Sequence, residues 1–289
     1  MTSTDLVGRA DWESVIAHAA FPAVLATDLD GTLLRSDGSV SDFTRHIVRR
    51  YLLAGGEHVM VTARPPRWLT AVAPMVPAGG VILAANGAFV VSAGDGAIVE
   101  QHTFVPTAVT ELVTRLKQHF PKMVLAVESS TGLVREAGFA ADPRDDPSLV
   151  VDDLRDWFAG ADGSGGGKLL GRCPDVPGDQ VYALVGAVVE DRAHLAFSGA
   201  AGLLELTSPE VTKARALARW CQDRGHIAAQ VWSFGDMPND LPMLGWSGLS
   251  FAPINAHPQV AAKVSAVIPH HDEDGVGQVV ARCMSLAAG

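Results

Sequence analysis

The sequence predicts an α/β protein in which an open parallel-sheet core carries a second, inserted α/β domain. Short apolar segments alternate with helical ones from residue 22 to residue 85, as in βαβ units. Closely spaced turn residues then favour antiparallel pairing, and the strand and helix alternation returns at residue 206. We therefore expect residues 1–88 and 206–289 to form the core and residues 89–205 to form the insertion.

The first half of the core is predicted from residue 1 onward. Residues 1–20 resemble a helical lead-in because their apolar residues share one helical face. Ser41 is a favourable N-cap for a helix that runs to about Ala54 and ends at a glycine pair. Apolar runs predict three strands and a proline-initiated helix follows the second of them. The strands are expected at 22–27, 57–64 and 80–85, and that helix at 65–69.

The insertion is predicted to mix hairpins with helices. Its strands are expected at 89–91, 97–99, 123–128 and 181–185, and its helices at 108–119 and 149–158. A glycine-rich stretch precedes Lys168, but a phosphate-binding P-loop would need a glycine in place of Asp162 and a Ser or Thr in place of Leu169. We expect a flexible loop there instead.

The second half of the core returns to alternating elements. A helix is expected at 214–225, strands at 231–234 and 266–269, and a final helix after the acidic turn at 272–274. The pair His270-His271 has no cysteine or carboxylate at a recognised zinc-ligand spacing. We therefore expect these two residues to be surface histidines.

Aspartates follow two of the predicted core strands. Asp28 and Asp30 follow the strand at 22–27, and Asp236 and Asp240 follow the strand at 231–234. An open α/β sheet binds its ligands at the carboxyl ends of its strands, and strand alternation places Asp28 and Asp30 on one side. Crowded carboxylates need a cation or a proton, which favours a metal-assisted site. An ordinary turn or helix cap remains the alternative for each residue alone.

Two further positions have the chemistry of an anion site. Thr62 and Arg64 lie at the carboxyl end of the strand expected at 57–64 and precede a helix, whose first N–H groups suit an anion. The alternative is a β-branched strand end before a proline-initiated helix. Lys213 immediately precedes residue 214, at the start of the next predicted helix. There the charge of the lysine and the positive end of the helix dipole would both attract an anion. The alternative for Lys213 is a solvated surface lysine.

Length and composition limit the classes of protein. A chain of 289 residues is long enough for two domains, and a net charge of -10 argues against nucleic-acid and anionic-membrane surfaces. The three cysteines have no zinc or redox spacing, which favours a reducing cytosol. The sequence contains neither a signal-peptide pattern nor an apolar stretch of membrane-spanning length. We expect a cytoplasmic monomer or homodimer whose partner is a small molecule.

Four motifs together resemble the haloacid dehalogenase superfamily of phosphotransferases. They are Asp-Leu-Asp-Gly-Thr at 28–32, Val-Thr-Ala-Arg at 61–64, Lys213, and Gly-Asp-Met-Pro-Asn-Asp at 235–240. Asn-Gly-Ala at 86–88, the position of the insertion, and residues 272–277 resemble its Cof-like branch, subfamily IIB. The resemblance implies a Rossmann-like, doubly wound parallel-sheet core, with residues 89–205 as a cap domain that determines substrate specificity.

The resemblance also implies a role for each matching residue. Asp28 would be the nucleophile that becomes an aspartyl-phosphate, and Asp30 the general acid and base. Mg²⁺ would bind the Asp28 carboxylate, the Asp30 carbonyl and Asp236, with Asp240 in its second coordination shell. The residues implied to hold the phosphoryl group are Thr62, Ala63, Arg64, Asn86, Lys213 and Asn239.

The chain departs from the branch at three positions. Ala63 and Ala214 stand where glycine is common, and residues 250–254 lack the Gly-Asn usual before Asn255. None of these departures removes a residue that the resemblance makes catalytic.

The resemblance implies a magnesium-dependent phosphomonoester hydrolase acting on a small phosphorylated metabolite, with a sugar phosphate preferred. The first alternative is a mannosyl-3-phosphoglycerate or sucrose-phosphate type of phosphatase, or a phosphomutase. The second is a non-catalytic binding protein, which would be expected to lack at least one of Asp28, Asp30, Lys213 or Asp236. All four are present.

Overall fold

The computed structural model describes most of the chain as two compact units. The described residues are 11–70, 72–73, 80–140, 142–145, 147–160, 166–199 and 202–287. The first unit takes those within Met1–Thr62, Met75–Ile82 and Lys213–Gly289, and the second takes those within Ala63–Pro74 and Leu83–Thr212.

Strands and helices are numbered here in chain order. The strands are β1 (Val24–Thr27), β2 (Glu57–Val61), β3 (Val81–Ala84), β4 (Phe89–Ser92), β5 (Ile98–Gln101), β6 (Val124–Ser129), β7 (Gly132–Glu136), β8 (Leu149–Val151), β9 (Lys168–Arg172), β10 (His194–Ala196), β11 (Leu204–Thr207), β12 (Val231–Phe234), β13 (Leu249–Pro253) and β14 (Ala266–Ile268). The helices are α1 (Trp12–Ala17), α2 (Asp42–Leu53), α3 (Pro106–His119), α4 (Leu154–Gly160), α5 (Gly178–Val189), α6 (Lys213–Asp223), α7 (Leu241–Trp246), α8 (Pro258–Ala261) and α9 (Gly275–Ala287).

The first unit is built on a parallel sheet in the order β14-β13-β12-β1-β2, with β3 beginning beside β2. Strand β1 pairs in parallel with both β12 and β2. The chain therefore extends the sheet on one side of β1, and when it returns it adds β12 and its neighbours on the other side. Such a reversal is the switch point of a doubly wound sheet, where ligands bind. The prediction of a Rossmann-like, doubly wound parallel-sheet core is confirmed.

The two strands at this switch point, β1 and β12, are mostly apolar, as expected for strands that are buried on both faces. All four residues of β1 and all four of β12 are buried, which matches the continuous apolar character of central parallel strands. Helix α2 begins as predicted, since the Ser41 hydroxyl accepts a hydrogen bond from the Thr44 N–H at 2.9 Å. The following turn contains Gly55 at φ +92°, a conformation that favours glycine.

The second unit contains a mixed sheet in the order β10-β11-β9-β6-β7-β8 and the β4–β5 hairpin. Its pairings are antiparallel except for the parallel pair β7–β8. Apolar residues of α3, α4 and α5 form one buried cluster with alternate residues of the strands. The intervening residues Ala126, Leu133 and Leu170 belong to a separate cluster with Phe139, as strand alternation requires.

Two predicted elements of the insertion are wrong. The strand expected at 181–185 is part of helix α5, because Val181, Val185, Val188 and Val189 recur at helical spacing and share one buried cluster. The helix expected at 149–158 begins instead with strand β8, which pairs with β7 before α4 starts. Residues 1–10 of the expected lead-in and 161–165 of the expected glycine-rich loop lie outside the described residues.

The unit boundaries differ from the domain boundaries expected at 88/89 and 205/206. The second unit contains Ala63–Pro74 as well as Leu83–Thr212, so the chain enters it first at Ala63 and again at Leu83, and leaves it after Thr212. Residues 85–88 are hydrogen-bonded within that unit, since the His102 N–H donates to the Ala88 carbonyl at 2.7 Å. Among the residues that the structure describes, no helix combines the length and apolar character needed to cross a bilayer.

Candidate active site

The turn after β1 presents a buried carboxylate at the switch point. The Asp28 N–H donates to the Phe234 carbonyl at 2.9 Å, so the β1–β12 pairing continues into the acidic segment. The chain then turns through Gly31 at φ +75°, and three successive N–H groups, from Thr32 to Leu34, point to the Leu29 carbonyl. Asp28 is buried, whereas Asp30 is exposed.

Lys213 connects the two acidic segments. It is the first residue of α6 and only 2% exposed. Its Nζ donates to Asp28 Oδ1 at 2.5 Å and to Asp240 Oδ1 at 2.6 Å. Burial alone would lower the pKa of Lys213, but the carboxylates of Asp240 and Asp28 outweigh burial and raise it above its ordinary value. Lys213 is therefore a buried cation, and the alternative of a solvated surface lysine is wrong.

The segment after β12 supplies two more carboxylates with different surroundings. Asp240 is fully buried, and its Oδ2 accepts from the N–H groups of Asp236 and Met237 at 3.1 and 2.9 Å. With Lys213 on Oδ1, Asp240 accepts three protein hydrogen bonds. Asp236 Oδ1 accepts from the Thr32 hydroxyl at 3.0 Å. A Cβ at Gly31 would lie only 2.5 Å from Asp236 Oδ2, so this oxygen lies directly against the turn after β1.

Three buried carboxylates and one lysine leave this group of residues with excess negative charge. Burial raises the pKa of Asp28 well above its usual range, although Lys213 opposes the shift. Burial and the nearby Asp240 raise the pKa of Asp236 to about 7, against the hydrogen bond from Thr32. Both shifts indicate that ionising these groups together requires another positive charge.

The donor set fits a divalent metal ion. One oxygen from each of Asp28, Asp236 and Asp240 lies within 4.8 Å of the other two. All are carboxylate oxygens, the hard ligands that Mg²⁺ prefers. Asp28 and Asp236 could hold the ion directly, whereas Asp240 already accepts three protein hydrogen bonds, two of them on Oδ2 and one from the Lys213 ammonium on Oδ1. Asp240 is better suited to fix the backbone of the Asp236 turn and to orient Lys213.

The remaining predicted residues divide between the units. Thr62 and Asn239 belong to the first unit and are 1% and 7% exposed. Ala63, Arg64 and Asn86 belong to the second unit. There the Ala63 carbonyl accepts from Lys168 Nζ and the Arg64 carbonyl from the Ala85 N–H, each at 2.8 Å.

Asn86 is an unusual backbone position in the second unit. It is 1% exposed and has φ +60°, a conformation that asparagine tolerates better than most residues. Its Nδ2 donates to Glu205 Oε2 at 3.1 Å. In the structure Asn86 therefore has a partner within its own unit.

Two residues without an assigned role also support the acidic turn. Thr32 fixes Asp236, as described above. Asn255 donates from Nδ2 to the Gly31 carbonyl at 2.8 Å and accepts from the His271 N–H at 3.2 Å. Thr32 lies within the first motif and Asn255 lies after the fourth, but only the folded chain reveals which atoms they bond.

Known proteins resemble the chain over most of its length. The 5-amino-6-(5-phospho-D-ribitylamino)uracil phosphatase YitU of Bacillus subtilis is 28% identical over 274 residues, which are 92% of this chain and 98% of YitU. A structure from Streptococcus mutans UA159 has a TM-score of 0.78 at 21% identity, covering 91% of this chain and 99% of that one. The HAD subclass IIB sugar phosphatase BT4131 has a TM-score of 0.72 at 15% identity, with the same coverage. The two structural similarities establish the fold alone.

A protein-family model also matches the chain. Residues 25–151 and 179–280 match the haloacid dehalogenase-like hydrolase family. These two ranges contain every predicted site residue, from Asp28 to Asp240, and amount to more than half of the chain. The chain belongs to the haloacid dehalogenase-like hydrolase family.

Proposed function

We propose that the protein is a magnesium-dependent phosphomonoester hydrolase that acts through an aspartyl-phosphate on Asp28. The observation that carries this proposal is the arrangement around Lys213, whose Nζ donates to Asp28 and Asp240 while Asp236 completes the acidic cluster. A buried cation beside the nucleophilic carboxylate lowers the electrostatic repulsion between that carboxylate and an anionic substrate. A non-catalytic role would not explain why so costly a buried charge cluster is maintained.

The proposed reaction has two displacements. The Asp28 carboxylate attacks phosphorus, the bond to the leaving alcohol oxygen breaks, and Asp30 gives that oxygen a proton. Asp30 then takes a proton from water, which attacks the same phosphorus, so that the phosphorus bond to Asp28 breaks and phosphate is released. The exposure of Asp30 suits proton exchange with water, while Lys213 keeps the Asp28 carboxylate oriented.

The metal would lower the repulsion between the nucleophile and the substrate. We propose Asp28, Asp236 and the Asp30 carbonyl as its protein ligands. Asp240 would not bind the ion directly but would fix the backbone of the Asp236 turn and orient Lys213. Thr62, Lys213 and Asn239, all of the first unit, would hold phosphoryl oxygens.

We propose that residues 89–205 act as the cap that selects the substrate, and that the substrate is a sugar phosphate or a related polyol phosphate. YitU is named for a phosphoribityl compound and BT4131 for sugar phosphates, which supports this class. The free, buried cysteines Cys173, Cys221 and Cys283 support the proposal that the protein works in the reducing cytoplasm.

The test is phosphate release from a panel of sugar phosphates, polyol phosphates and an aryl phosphate, with and without Mg²⁺. We expect magnesium-dependent release by the wild type and a loss of about 10³-fold or more in Asp28→Asn, because the nucleophile is removed. Asp37→Asn, which changes an exposed aspartate of the following loop, is the matched control and should retain activity.

A second measurement tests the intermediate. After brief reaction and acid quenching, mass spectrometry should find the phosphoryl group on the peptide that contains Asp28. Normal turnover by Asp28→Asn would refute the proposed nucleophile. No release by folded, magnesium-loaded wild type would refute the hydrolase, and rearrangement of a substrate without free phosphate would indicate a phosphomutase.

A further inference from the structure

A second group of potential metal ligands lies in the turn before α9. His270, His271 and Asp272 each offer one ligand atom within 4.8 Å of the other two. His270 Nδ1 is 3.6 Å and His271 Nε2 is 3.9 Å from Asp272 Oδ2. The two imidazole centroids are 4.6 Å apart. The sequence alone predicted surface histidines here, but the structure adds an oriented carboxylate.

The hydrogen bond of His271 Nδ1 leaves Nε2 as the ring nitrogen that can bind a metal. Its Nδ1 lies 2.7 Å from the Leu34 carbonyl oxygen. Because a carbonyl only accepts, Nδ1 must carry the proton, and the lone pair is then on Nε2. Metal-binding histidines commonly have this arrangement, with the other ring nitrogen donating to a carbonyl or carboxylate.

Asp272 is also held in place. Its Oδ1 accepts from the Ser36 N–H and its Oδ2 from the Ser36 hydroxyl, both at 2.7 Å. An oxygen that accepts one hydrogen bond retains a further lone pair for a metal. The side chains of His271 and Asp272 are 11% and 42% exposed, so an ion can approach from solvent without opening the core.

The distances require only small movements. Zinc bonds to nitrogen and oxygen are about 2.0–2.2 Å, so neighbouring ligand atoms of a tetrahedral site lie roughly 3.4 Å apart. The separations of 3.6 and 3.9 Å are within a few tenths of an ångström of this. His270 Nδ1 accepts from the Asp272 N–H at 3.1 Å and must give up this bond to become the third ligand.

We propose that His270, His271 and Asp272 bind one divalent transition-metal ion, for which Zn²⁺ is the probe. Two imidazoles and one carboxylate favour Zn²⁺ and its neighbours over Mg²⁺. The site is separate from the proposed magnesium site, and solvent would complete its coordination. His271 bonds Leu34 and Asp272 bonds Ser36, and both partners lie on the segment after the Asp28 turn. An ion at this site would therefore be bound by residues that are hydrogen-bonded to that segment.

The test is a calorimetric titration of metal-stripped, untagged, full-length protein with Zn²⁺ in a large excess of Mg²⁺. Asn in place of His271 keeps a donor near Nδ1 for the Leu34 carbonyl but removes Nε2. The control is His119→Asn, because exposed His119 also bonds a backbone carbonyl through Nδ1. We expect His271→Asn to weaken one zinc-binding event by at least about tenfold and His119→Asn to leave all events unchanged.

A second variant and a spectrum complete the test. Asp272→Asn should weaken the same event, and bound Co²⁺ should give a visible absorption band with nitrogen-ligand character that His271→Asn removes. Circular dichroism verifies that each variant is folded. Equal zinc binding by the wild type and a folded His271→Asn, or equal losses in His271→Asn and His119→Asn, would overturn the proposal.

Discussion

Lys213 compensates only part of the negative charge around Asp28. It is buried and bonded to two carboxylates, while Asp236 lies beyond its hydrogen bonds and has a pKa raised to about 7 by burial and by Asp240. One lysine therefore does not compensate all three aspartates. This imbalance is the physical basis for expecting a divalent cation between Asp28 and Asp236.

Gly31 gives a prediction that separates backbone strain from damage to the metal site. Gly31 and Gly38 have φ values of +75° and +79°, but a Cβ would contact Asp236 Oδ2 only at Gly31, and nothing lies within 4 Å at Gly38. Both alanine variants should lose roughly 1 kcal/mol of unfolding free energy from the left-handed backbone. Only Gly31→Ala should also weaken Mg²⁺ binding, by about tenfold or more, because the Asp236 carboxylate must move.

Urea denaturation and magnesium titration of the two glycine variants measure these effects. Equal magnesium affinity in Gly31→Ala and Gly38→Ala would show that the contact with Asp236 does not matter for the ion.

At the scale of secondary structure, the sequence predicted the core better than the insertion. The strands before Asp28 and Asp236 are short, apolar runs that end in glycine and aspartate, and the structure has strands β1 and β12 there. Val181 and Val185 suggested a strand because valine is β-branched. Their position in helix α5 depends on the cluster they form with α3 and the sheet, and such tertiary packing cannot be read from a short window.

The site shows the same limit. Motif order identified Asp28, Lys213, Asp236 and Asp240, which the structure brings into one hydrogen-bonded group. The sequence could not predict which donors bond to each carboxylate oxygen of Asp240. It also could not predict the bond from Asn86 to Glu205 within the second unit, because the two partners are far apart in the chain.

An ion-pair group in the second unit gives a prediction for the loop after β2. Arg67 forms a salt bridge with Glu128 of β6 and another with Asp145 at 2.6 Å, and the Trp68 Nε1–H donates to Asp145 at 3.0 Å. Glu128 is 2% exposed. Glu128→Gln should lower the free energy of unfolding by about 2 kcal/mol, because the partly buried guanidinium of Arg67 loses its bidentate carboxylate partner and keeps only Asp145.

Asp142→Asn is the control for this variant, because it breaks an exposed pair with Arg144 and should change stability little. Urea denaturation of both variants makes the comparison. If Glu128→Gln is as stable as Asp142→Asn, the buried pair does not stabilise the loop.

At the scale of the whole molecule, the first unit is assembled from distant parts of the chain. Val24 pairs with Val231 across the middle of its sheet, and the second unit is inserted between them in sequence. The central sheet is therefore completed only when the last third of the chain is present. Such long-range pairing is expected to slow folding and makes the global stability of this unit sensitive to residues at the centre of the sheet.

His58 contributes one part of the pH dependence of that stability. It lies in β2, is 6% exposed, and its Nε2 is 2.8 Å from the Thr27 hydroxyl. Burial lowers the pKa of His58 to about 4, whereas the unfolded value is near 6.5. The unfolded chain therefore binds a proton first as the pH falls. The stabilisation is complete above about pH 6.5 and decreases toward pH 4, by up to about 3 kcal/mol.

His58→Gln should remove this part of the pH dependence, because glutamine can bond the Thr27 hydroxyl but does not titrate. Urea denaturation at pH 7, 6 and 5 is the measurement, and His46→Gln, at an exposed position of α2, is the control. Relative to His58→Gln, the wild type and His46→Gln should lose stability between pH 7 and 5. The raised pKa values of Asp28 and Asp236 act in the opposite direction, equally in all three proteins, and cancel in this comparison. Parallel curves for all three proteins would mean that His58 is protonated as readily in the folded state as in the unfolded chain, and that burial at the centre of the sheet does not control its charge.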